Sequence, residues 1–301
     1  MSDYTTFQLG GSCRWLVTCR TPEQLANAVR KLEERPTDYV LIGGGSNVLV
    51  SDEGYDGVVL RYCSETPIIR GEGLEVTVSG STMLDDLVVY TLDHELDGLV
   101  KCSGIPGTVG GAIVGNAGAF GEQIGDCLVS VTLLNREGDA HTVPKEELGL
   151  GYRCSLLQES GDIVVDARLA LMKGERRSME PRRADILKLR SKKHPDVRRK
   201  PCIGSIFRNV EATSSAERRQ AAGWFLEQAG AKELRVGGAR VYEHHGNIIV
   251  KGVGCTAEDV HELAGKMALS VQKKFDLRLV REFRYLGRFK GEEVATLSNF
   301  Y

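Results

Sequence analysis

The spacing of hydrophobic positions predicts several amphipathic helices. One follows Thr21 and Pro22, an N-cap and a proline at the first helical position, and another follows a capping box of Thr256 and Asp259. The segment 213–229 also has the helical period. The expected buried faces consist of Leu25, Ala28, Val29 and Leu32, of Leu84, Leu87, Val88, Thr91 and Leu92, and of Val260, Leu263, Met267 and Val271.

Short apolar runs bounded by turn residues predict strands between these helices. The strands are expected at 39–42, 57–61, 74–78, 129–134 and 247–251, with a hairpin turn at 136–139. Mixed helices and strands in this order favour an α+β fold of three domains. The expected ranges are 1–66, 67–199 and 200–289, followed by a tail at 290–301.

The composition argues against several classes of protein. Of 301 residues 42% are hydrophobic, and 39 basic against 41 acidic side chains give a net charge of −2. Such a balance does not favour nucleic acid or a membrane surface as partner. The start lacks the basic and apolar regions of a signal peptide, and no apolar run approaches the roughly 20 residues that span a bilayer. We therefore expect a soluble cytoplasmic protein.

Eight cysteines are scattered along the chain without a CxxC pair or a histidine at zinc-finger spacing. Reduced thiols are the usual state in a cytoplasmic chain of this length. The sequence thus predicts neither a disulfide framework nor a structural metal.

Glycines are clustered at two places, and the first cluster follows a predicted strand. Gly43, Gly44 and Gly45 precede Ser46 and Asn47. Consecutive glycines admit positive φ and leave N–H groups bare for phosphate oxygens. The loop is neither a P-loop, because no GK[ST] follows, nor a Rossmann loop, because the strand-like VLV follows. By itself it fits a tight turn and a phosphate site equally well.

The second cluster runs through 104–121 and has very little side-chain volume. Core packing explains it poorly, because glycine costs backbone entropy and buries almost no area. A wall for a large flat ligand explains it better. Two such loops in one chain indicate a ligand with both a pyrophosphate and a ring system.

Several motifs resemble, in the same order, the UDP-N-acetylenolpyruvoylglucosamine reductase (MurB) family. They are TFQLGG, GGGSN, SGIPGTVGGA with NAGAFGE, YRCS, GSIFRN, GGARV with a following histidine, and LVRE, and the resemblance covers about residues 5–288. The short interval between YRCS and GSIFRN resembles the compact second type of the family. Independent motifs in order are far more specific than a lone glycine pattern.

The resemblance implies a fold, a reaction and a cofactor. The first two domains would form a FAD-binding unit of the vanillyl-alcohol oxidase type, and an α+β third domain would bind the UDP-sugar. The enzyme would use FAD as cofactor and NADPH as co-substrate to reduce UDP-N-acetylglucosamine enolpyruvate to UDP-N-acetylmuramate, a step of peptidoglycan synthesis. It would be a cytoplasmic monomer without nucleic-acid or membrane partners. The residues expected to hold FAD are Gly43, Gly44, Gly45, Ser46, Asn47, Gly104, Ile105, Pro106, Gly107, Thr108, Gly110, Gly111, Ala112, Asn116, Ala117 and Gly118.

Three residues match the family's catalytic positions. The implied reaction passes through a carbanion delocalised into a carboxylate. Arg153 offers a guanidinium fork for that carboxylate, and Glu282 can hold it only when protonated, because two ionised carboxylates repel. Ser205 has a hydroxyl suited to deliver the proton. Taken singly, an arginine in such a motif is more often an ion-pair residue, a serine after glycine is commonly a turn residue, and Glu282 could be a solvated strand residue.

The resemblance also implies substrate contacts at Tyr152, Asn209, Lys193 and His245. With Arg190, Lys193 could meet the diphosphate of UDP or NADPH. Both belong to a basic stretch, residues 173–200, which has 12 Lys or Arg against 4 Asp or Glu. A solvated helix face explains any single cation there about equally well.

The chain departs from the family pattern at three positions, which puts details of substrate contact in doubt. Val210 stands where proline usually follows the asparagine and would loosen the loop that carries Ser205. Tyr242 replaces a small hydroxyl residue, and Lys251 replaces an asparagine.

Two other functions stay open at this stage. One is a flavin oxidase of the wider superfamily acting on another substrate, although no histidine lies near either glycine cluster to tether the flavin. The other is nucleic-acid binding by 173–200, a stretch that lacks the aromatic residues on which single-stranded bases stack.

Overall fold

A computed structural model describes residues 1–35, 37–64, 69–211 and 218–291. Its helices are α1 Pro22–Glu33, α2 Leu84–Asp93, α3 Val109–Val114, α4 Ile124–Cys127, α5 Leu157–Ser160, α6 Arg176–Lys193, α7 Ala222–Gln228 and α8 Ala257–Phe275. Its strands are β1 Cys13–Cys19, β2 Tyr39–Leu41, β3 Val48–Val50, β4 Tyr55–Tyr62, β5 Ile69–Glu72, β6 Glu75–Ser79, β7 Leu96–Asp97, β8 Gly118–Ala119, β9 Glu122–Gln123, β10 Leu128–Leu134, β11 Ala140–Pro144, β12 Ile163–Ala170, β13 Met172–Lys173, β14 Arg235–Val236, β15 Ala239–Tyr242, β16 His245–Lys251 and β17 Arg284–Leu286.

The described residues divide into two compact units. The large unit contains residues 13–45 and 56–190, and the small unit contains residues 1–12, 46–55 and 191–291. Each has its own hydrophobic core.

The large unit begins with the predicted α/β motif. Thr21 caps α1 by accepting a hydrogen bond from the N–H of Gln24 at 3.2 Å, and Leu25 and Val29 are buried. The adjoining sheet has the order β1-β4-β2, with β2 parallel to β4. Leu25 and Val29 share a core with buried residues of these strands, including Leu41 and Leu60. The helix, its cap and strands β2 and β4 are as the sequence predicted, whereas β1 was not predicted.

An antiparallel sheet forms the other part of the large unit. Its order is β11-β10-β12-β6-β5, and the predicted turn at 136–139 joins β10 to β11. Helix α2 buries all five positions that the pattern assigned to its inner face. The four apolar ones pack into one core with Val76, Val131 and Ala167 from three of the strands.

Helix α3 lies within the second glycine cluster, which the sequence pattern predicts to be a loop. Thr108 caps it by accepting a hydrogen bond from the N–H of Gly111 at 3.2 Å. The N–H groups of Val109 and Gly110 donate to the carbonyls of Thr82 and Gly80, at 2.8 and 2.9 Å. Contacts from outside the cluster thus satisfy the first turn and offset the low helix propensity of glycine.

The small unit is built around α8 and a sheet of order β14-β15-β16. Thr256 and Asp259 form the predicted capping box, and all four predicted positions of α8 are buried. Phe7, from the N-terminal segment, is fully buried in the same core. The fold therefore has mixed helices and strands in both units, as an α+β class requires.

Several boundaries differ from the sequence expectations. Residues 1–12 and 46–55, expected in the first domain, belong to the small unit, in which β3 pairs in parallel with β17. Helix α7 begins at Ala222, because the backbone of Gln220 pairs with Val210 instead. Residues 213–217 of the predicted helix and 292–301 of the tail lie outside the described residues. The three-domain division stays a prediction, and it is consistent with two separate cores in the large unit.

Asp52 caps α8 from a distant part of the chain. Its two carboxylate oxygens accept hydrogen bonds from the N–H groups of Ala257 and Glu258, at 2.9 and 3.0 Å. We expect Asp52→Ala to lower the free energy of unfolding by about 1–2 kcal/mol, because two helix N-terminal amides lose their partner. Urea denaturation followed by circular dichroism measures the change.

A matched control for Asp52 is Asp56→Ala. Asp56 pairs with Arg14 at the surface, where the two side chains are 83% and 54% exposed. Such a pair contributes about 0–1 kcal/mol. Equal shifts of the two variants would contradict a capping role for Asp52.

Candidate functional site

The two glycine clusters meet in the large unit. A Cβ on Gly43 would lie 2.6 Å from Oγ1 of Thr108, and one on Gly44 would lie 2.9 Å from Cα of Gly107. Gly107 also has a φ of +122°. Glycine is therefore required by close backbone approach, and the paired loops present peptide groups rather than side chains.

Gly104, in the second cluster, is held by a charged pair that the sequence analysis missed. Its N–H donates to Asp85 at 2.7 Å, and Arg183 donates to both carboxylate oxygens of Asp85, each at 2.7 Å. Burial alone would raise the pKa of Asp85, but these hydrogen bonds and the nearby cations lower it. The carboxylate thus stays ionised and fixes the orientation of the loop.

Arg190 lies against the same glycine. A Cβ on Gly104 would be 3.4 Å from both Cδ and Nε of Arg190. Burial lowers the pKa of this guanidinium, and the charge of Asp85 opposes the shift. Among the described residues, none gives Arg190 a hydrogen bond or a salt bridge. A partly buried cation in this position is complementary to an anionic ligand group.

Thr82 is a second residue that the sequence analysis missed. Its hydroxyl is buried and has no hydrogen-bond partner in the described part of the chain, while its carbonyl accepts from Val109 at the start of α3. In the sequence, the run of small polar residues at 79–82 before α2 could have pointed to Thr82. A bare backbone surface, an unpartnered hydroxyl and a cation together fit a ligand with phosphates and a polar ring, such as FAD.

The predicted catalytic Arg153 occupies a tight turn between Gly151 and Cys154, whose backbones pair in both directions. Its φ is +56°, a conformation that costs a non-glycine residue about 1–3 kcal/mol. Its Nη2 donates to the carbonyl of Gly118 at 2.8 Å, and its guanidinium lies 5.2 Å from the ring centre of Tyr152. The large unit thus brings Arg153 and Tyr152 together with the end of the second glycine cluster.

The other residues expected to hold FAD lie along the same part of the chain. Asn116 is fully buried, and both ends of its amide hydrogen-bond within the chain. The rest lie in the segment before α3, in α3 itself or in the turn after it. These residues are Ile105, Pro106, Gly110, Gly111, Ala112 and Ala117.

Strand pairing in the small unit brings Ser205 near Glu282. The N–H of Glu282 donates to the carbonyl of Ile206, the residue after Ser205, at 2.9 Å. On its other side, the carbonyl of Glu282 accepts a hydrogen bond from Nδ2 of Asn47 at 3.1 Å. Three distant segments therefore meet here. They carry the two predicted catalytic residues and Asn47, which follows Ser46 in the GGGSN motif.

His245 and Lys193 are also neighbours in the small unit. Burial lowers the pKa of His245; the carboxylate of Glu227 opposes this, and the charge of Lys193 adds to it. Nδ1 of His245 accepts a hydrogen bond from the N–H of Asn247 at 3.1 Å. The neutral ring consequently carries its proton on Nε2, which makes that atom a donor.

Asn209 accepts a hydrogen bond from the N–H of Ala222 at 3.2 Å, at the start of α7. The next residue, Val210, exchanges two backbone hydrogen bonds with Gln220, at 2.9 and 3.0 Å. A proline at 210 could not donate the first of them. The expected loosening at Val210 is therefore wrong for the backbone of this residue, which is paired in both directions.

The other two departures from the family pattern have partners within the small unit. Lys251 donates from Nζ to the carbonyl of Gln8 at 2.6 Å. Tyr242 is buried, and Nζ of Lys200 lies 5.1 Å from the centre of its ring.

Part of the basic stretch 173–200 is neutralised by acidic neighbours. Salt bridges join Arg176 to Asp93 and Glu180, Arg177 to Glu175, Arg182 to Asp97, and Arg183 to Asp85. For the first half of α6 the structure therefore favours a solvated, ion-paired helix face over a nucleic-acid surface.

Within the described ranges no cluster of His, Cys, Asp and Glu has the arrangement of a metal site. All eight cysteines are free thiols, four of them buried and four half-buried. Across the part of the chain that the structure describes, no helix has both the length and the apolar character to cross a bilayer.

Comparison with known proteins connects these sites to a family. A family model described as an FAD binding domain matches residues 14–144, and one described as the C-terminal domain of UDP-N-acetylenolpyruvoylglucosamine reductase matches residues 195–286. The UDP-N-acetylenolpyruvoylglucosamine reductase of Clostridium perfringens is 33% identical over 288 residues, which cover 96% of this chain and 91% of that protein. That of Alkaliphilus oremlandii is 34% identical over 287 residues, or 95% of this chain and 91% of that protein.

Among solved structures, the chain is similar to UDP-N-acetylenolpyruvylglucosamine reductase (MurB) from Thermus caldophilus. The identity is 33%, the TM-score is 0.78, and the match covers 95% of this chain and 97% of that one. Together, the matches confirm the predicted fold class, an α+β protein with an FAD-binding domain, and they define an FAD-dependent oxidoreductase. The chain belongs to the UDP-N-acetylenolpyruvoylglucosamine reductase family.

The contact between the glycine clusters gives a test of the cofactor site. Because a Cβ on Gly44 would meet the backbone of Gly107, Gly44→Ala must push the two loops apart. Overpacking of this kind costs about 1–3 kcal/mol, so we expect FAD binding to weaken about tenfold or more. Titration of the apoprotein with FAD, followed by flavin fluorescence, measures the dissociation constant.

Gly115→Ala is the matched control within the second cluster. Its Cβ would make an ordinary contact of 3.5 Å with the carbonyl of Gly111, at a φ of −87°. We expect this variant to bind FAD like the native chain. The same dissociation constant for both variants would show that the loop contact does not shape the cofactor site.

Proposed function

We propose that this chain reduces UDP-N-acetylglucosamine enolpyruvate to UDP-N-acetylmuramate, with FAD as cofactor and NADPH as co-substrate, as a cytoplasmic monomer without nucleic-acid or membrane partners. The observation that carries the proposal is the backbone pairing that sets Glu282 opposite Ile206, the neighbour of Ser205, and binds Asn47 to Glu282. This arrangement occurs in a chain of the reductase family, and its residue types suit delivery of a proton beside a carboxylate.

The glycine clusters and their neighbours would hold the cofactor. The N–H groups of Gly43–Gly45, Gly107 and Thr108 suit its diphosphate, and Arg190 adds a cation beside Gly104. The hydroxyl of Thr82 is available to a ring or ribose oxygen. When bound, FAD supplies a carrier that accepts a hydride from the nicotinamide and transfers it to the vinyl carbon of the substrate.

Arg153 and Glu282 would act on the substrate's carboxylate. Charge accumulates there as the hydride arrives, so a fixed guanidinium stabilises the transition state more than the ground state. The turn conformation of Arg153 and its hydrogen bond to Gly118 limit the motion of the guanidinium before substrate arrives. Glu282 serves as a hydrogen-bond donor to the same group in its protonated form. Ser205 delivers a proton to the carbon next to the hydride acceptor.

The remaining polar residues would recognise the UDP-sugar. His245 offers a neutral donor at Nε2, and the neighbouring Lys193 offers a cation suited to a phosphate oxygen. Tyr152, beside Arg153, and Asn209, at the start of α7, would complete the substrate contacts.

Loss of NADPH absorbance is the direct test. Purified protein mixed with NADPH and UDP-N-acetylglucosamine enolpyruvate should oxidise the nicotinamide in proportion to substrate added, whereas UDP-N-acetylglucosamine should support none. An oxidase with another substrate is distinguished by consumption of oxygen without the enolpyruvyl substrate. Yellow colour that stays with the denatured chain would indicate covalent flavin and contradict the proposal.

Ser205→Ala tests the proton donor. If the hydroxyl acts only in protonation, flavin reduction by NADPH should keep its native rate, while reoxidation by the enolpyruvyl substrate should slow by roughly 10²–10⁴-fold. Stopped-flow absorbance of the two half-reactions separates these steps. Equal slowing of both would indicate a damaged flavin site, and the role would be withdrawn.

Glu282 is tested with three variants, because two roles predict different orders of activity. As a hydrogen-bond donor to the carboxylate, Glu282→Gln should keep much of the activity, since an amide of similar shape also donates, and Glu282→Asp should lose more. As the proton donor, Gln should be as inactive as Ala. We expect the first order in steady-state kinetics after flavin content has been matched. Full activity of Glu282→Ala would place the residue outside the reaction.

A further inference from the structure

Asn116 links the second glycine cluster to the turn that carries Arg153. Its Nδ2 donates to the carbonyl of Gly151 at 2.9 Å, and its Oδ1 accepts from the N–H of Gly125 at 3.2 Å. The side chain is fully buried, so both ends of the amide act within the chain. A Cβ on Gly125 would lie 2.7 Å from Oδ1, which shows how tightly the amide is enclosed.

The carbonyl that Asn116 binds belongs to the first residue of the Arg153 turn. Gly151 and Cys154 close the turn with hydrogen bonds of 3.0 and 3.3 Å, and Arg153 lies between them. The carbonyl of Gly151 thus accepts two hydrogen bonds, one of 3.3 Å from the N–H of Cys154 and one of 2.9 Å from Nδ2 of Asn116. The bond from Asn116 is the shorter of the two. A shift of this carbonyl would rotate the peptide plane next to Tyr152 and with it the start of the turn.

Asn116 is itself held by the end of α3. Its φ is +40°, a left-handed conformation that asparagine tolerates better than most residues, and its N–H donates to the carbonyl of Ile113 at 3.0 Å. Ser155, just after the turn, donates to the carbonyl of Val114 at 2.8 Å. The turn is thus attached to α3 on both sides of Arg153.

We infer that Asn116 is a positioning residue for Arg153, and that the donor end of its amide sets the orientation of the guanidinium for the substrate's carboxylate. This rests on the role of Arg153 in the proposed function. Asn116 touches neither substrate nor cofactor in this assignment; it acts through the carbonyl of Gly151.

Asn116→Asp isolates the donor end of the amide. One carboxylate oxygen can still accept from Gly125, but an ionised second oxygen would face the carbonyl of Gly151 and repel it, whereas a protonated carboxyl would donate to it. We expect kcat to fall up to about 100-fold at about pH 8.5 and to recover about tenfold relative to the native chain at about pH 6. FAD content and the rate of flavin reduction by NADPH should stay native. A ratio of variant to native kcat that falls as the pH is lowered would overturn the inference, because protonation restores the donor.

Asn116→Gly separates the amide from the backbone conformation. Glycine accepts a φ of +40° without strain but has no donor, so this variant should be slow at every pH without the recovery at low pH. Native kcat in Asn116→Gly would show that only the left-handed backbone matters and would overturn the inference. Asn135→Asp places the same change in the β10–β11 turn, where Oδ1 accepts from the N–H of Asp139, and should leave kcat unchanged.

A double-mutant cycle with Arg153→Ala decides whether Asn116 acts through Arg153. If it does, Asn116→Gly should reduce kcat in the native background and have no further effect when Arg153 is alanine. Fully multiplicative losses would overturn the inference and leave the role of Arg153 intact. Native turnover by Arg153→Ala alone would instead show that the proposed role of Arg153 is wrong, and the inference would fall with it.

Discussion

The close approach of Gly43 and Gly44 to Gly107 and Thr108 is the contact on which the large unit's site depends. The hydroxyl of Thr108 occupies the space that a side chain at Gly43 would need, and the same hydroxyl caps α3. A substituent at Gly43 would therefore displace the helix cap as well as the loop. Because the far end of α3 holds Asn116 and the turn of Arg153, the contact also affects a residue proposed to act on substrate.

The sequence predicted elements whose signals lie within a few residues of each other. The cap of Thr21, the box of Thr256 with Asp259, and the inner face of α2 all involve contacts across three or four positions, and all are present. Helix α3 and the start of α7 were predicted wrongly because distant contacts decide them. Gly80 and Thr82 satisfy the first amides of α3, and Val210 takes the backbone of Gln220 away from α7.

Some residues of the candidate site could likewise be predicted from the sequence, and others could not. Runs of glycine and the order of motifs identified both clusters and Arg153, because such runs have few structural explanations. Asp85 and Arg183 were missed, since an arginine in a basic stretch has the composition of any solvated helix face. The family resemblance implies that Asn116 contacts the cofactor, and this stays a prediction. Its burial and two hydrogen bonds also give it a structural part, which only the positions of Gly125 and Gly151 reveal.

The pairing at Val210 shows how a departure from a family pattern changes what a site depends on. A proline fixes its own φ through the pyrrolidine ring, so its constraint is local and covalent. Val210 has no such ring, and its backbone is constrained by reciprocal hydrogen bonds with Gln220. Asn209, next to it, in turn accepts a hydrogen bond at the start of α7. The conformation after Ser205 thus depends on two segments together, so a change near Gln220 is expected to affect Asn209, which is proposed to contact substrate, as directly as a change at Val210.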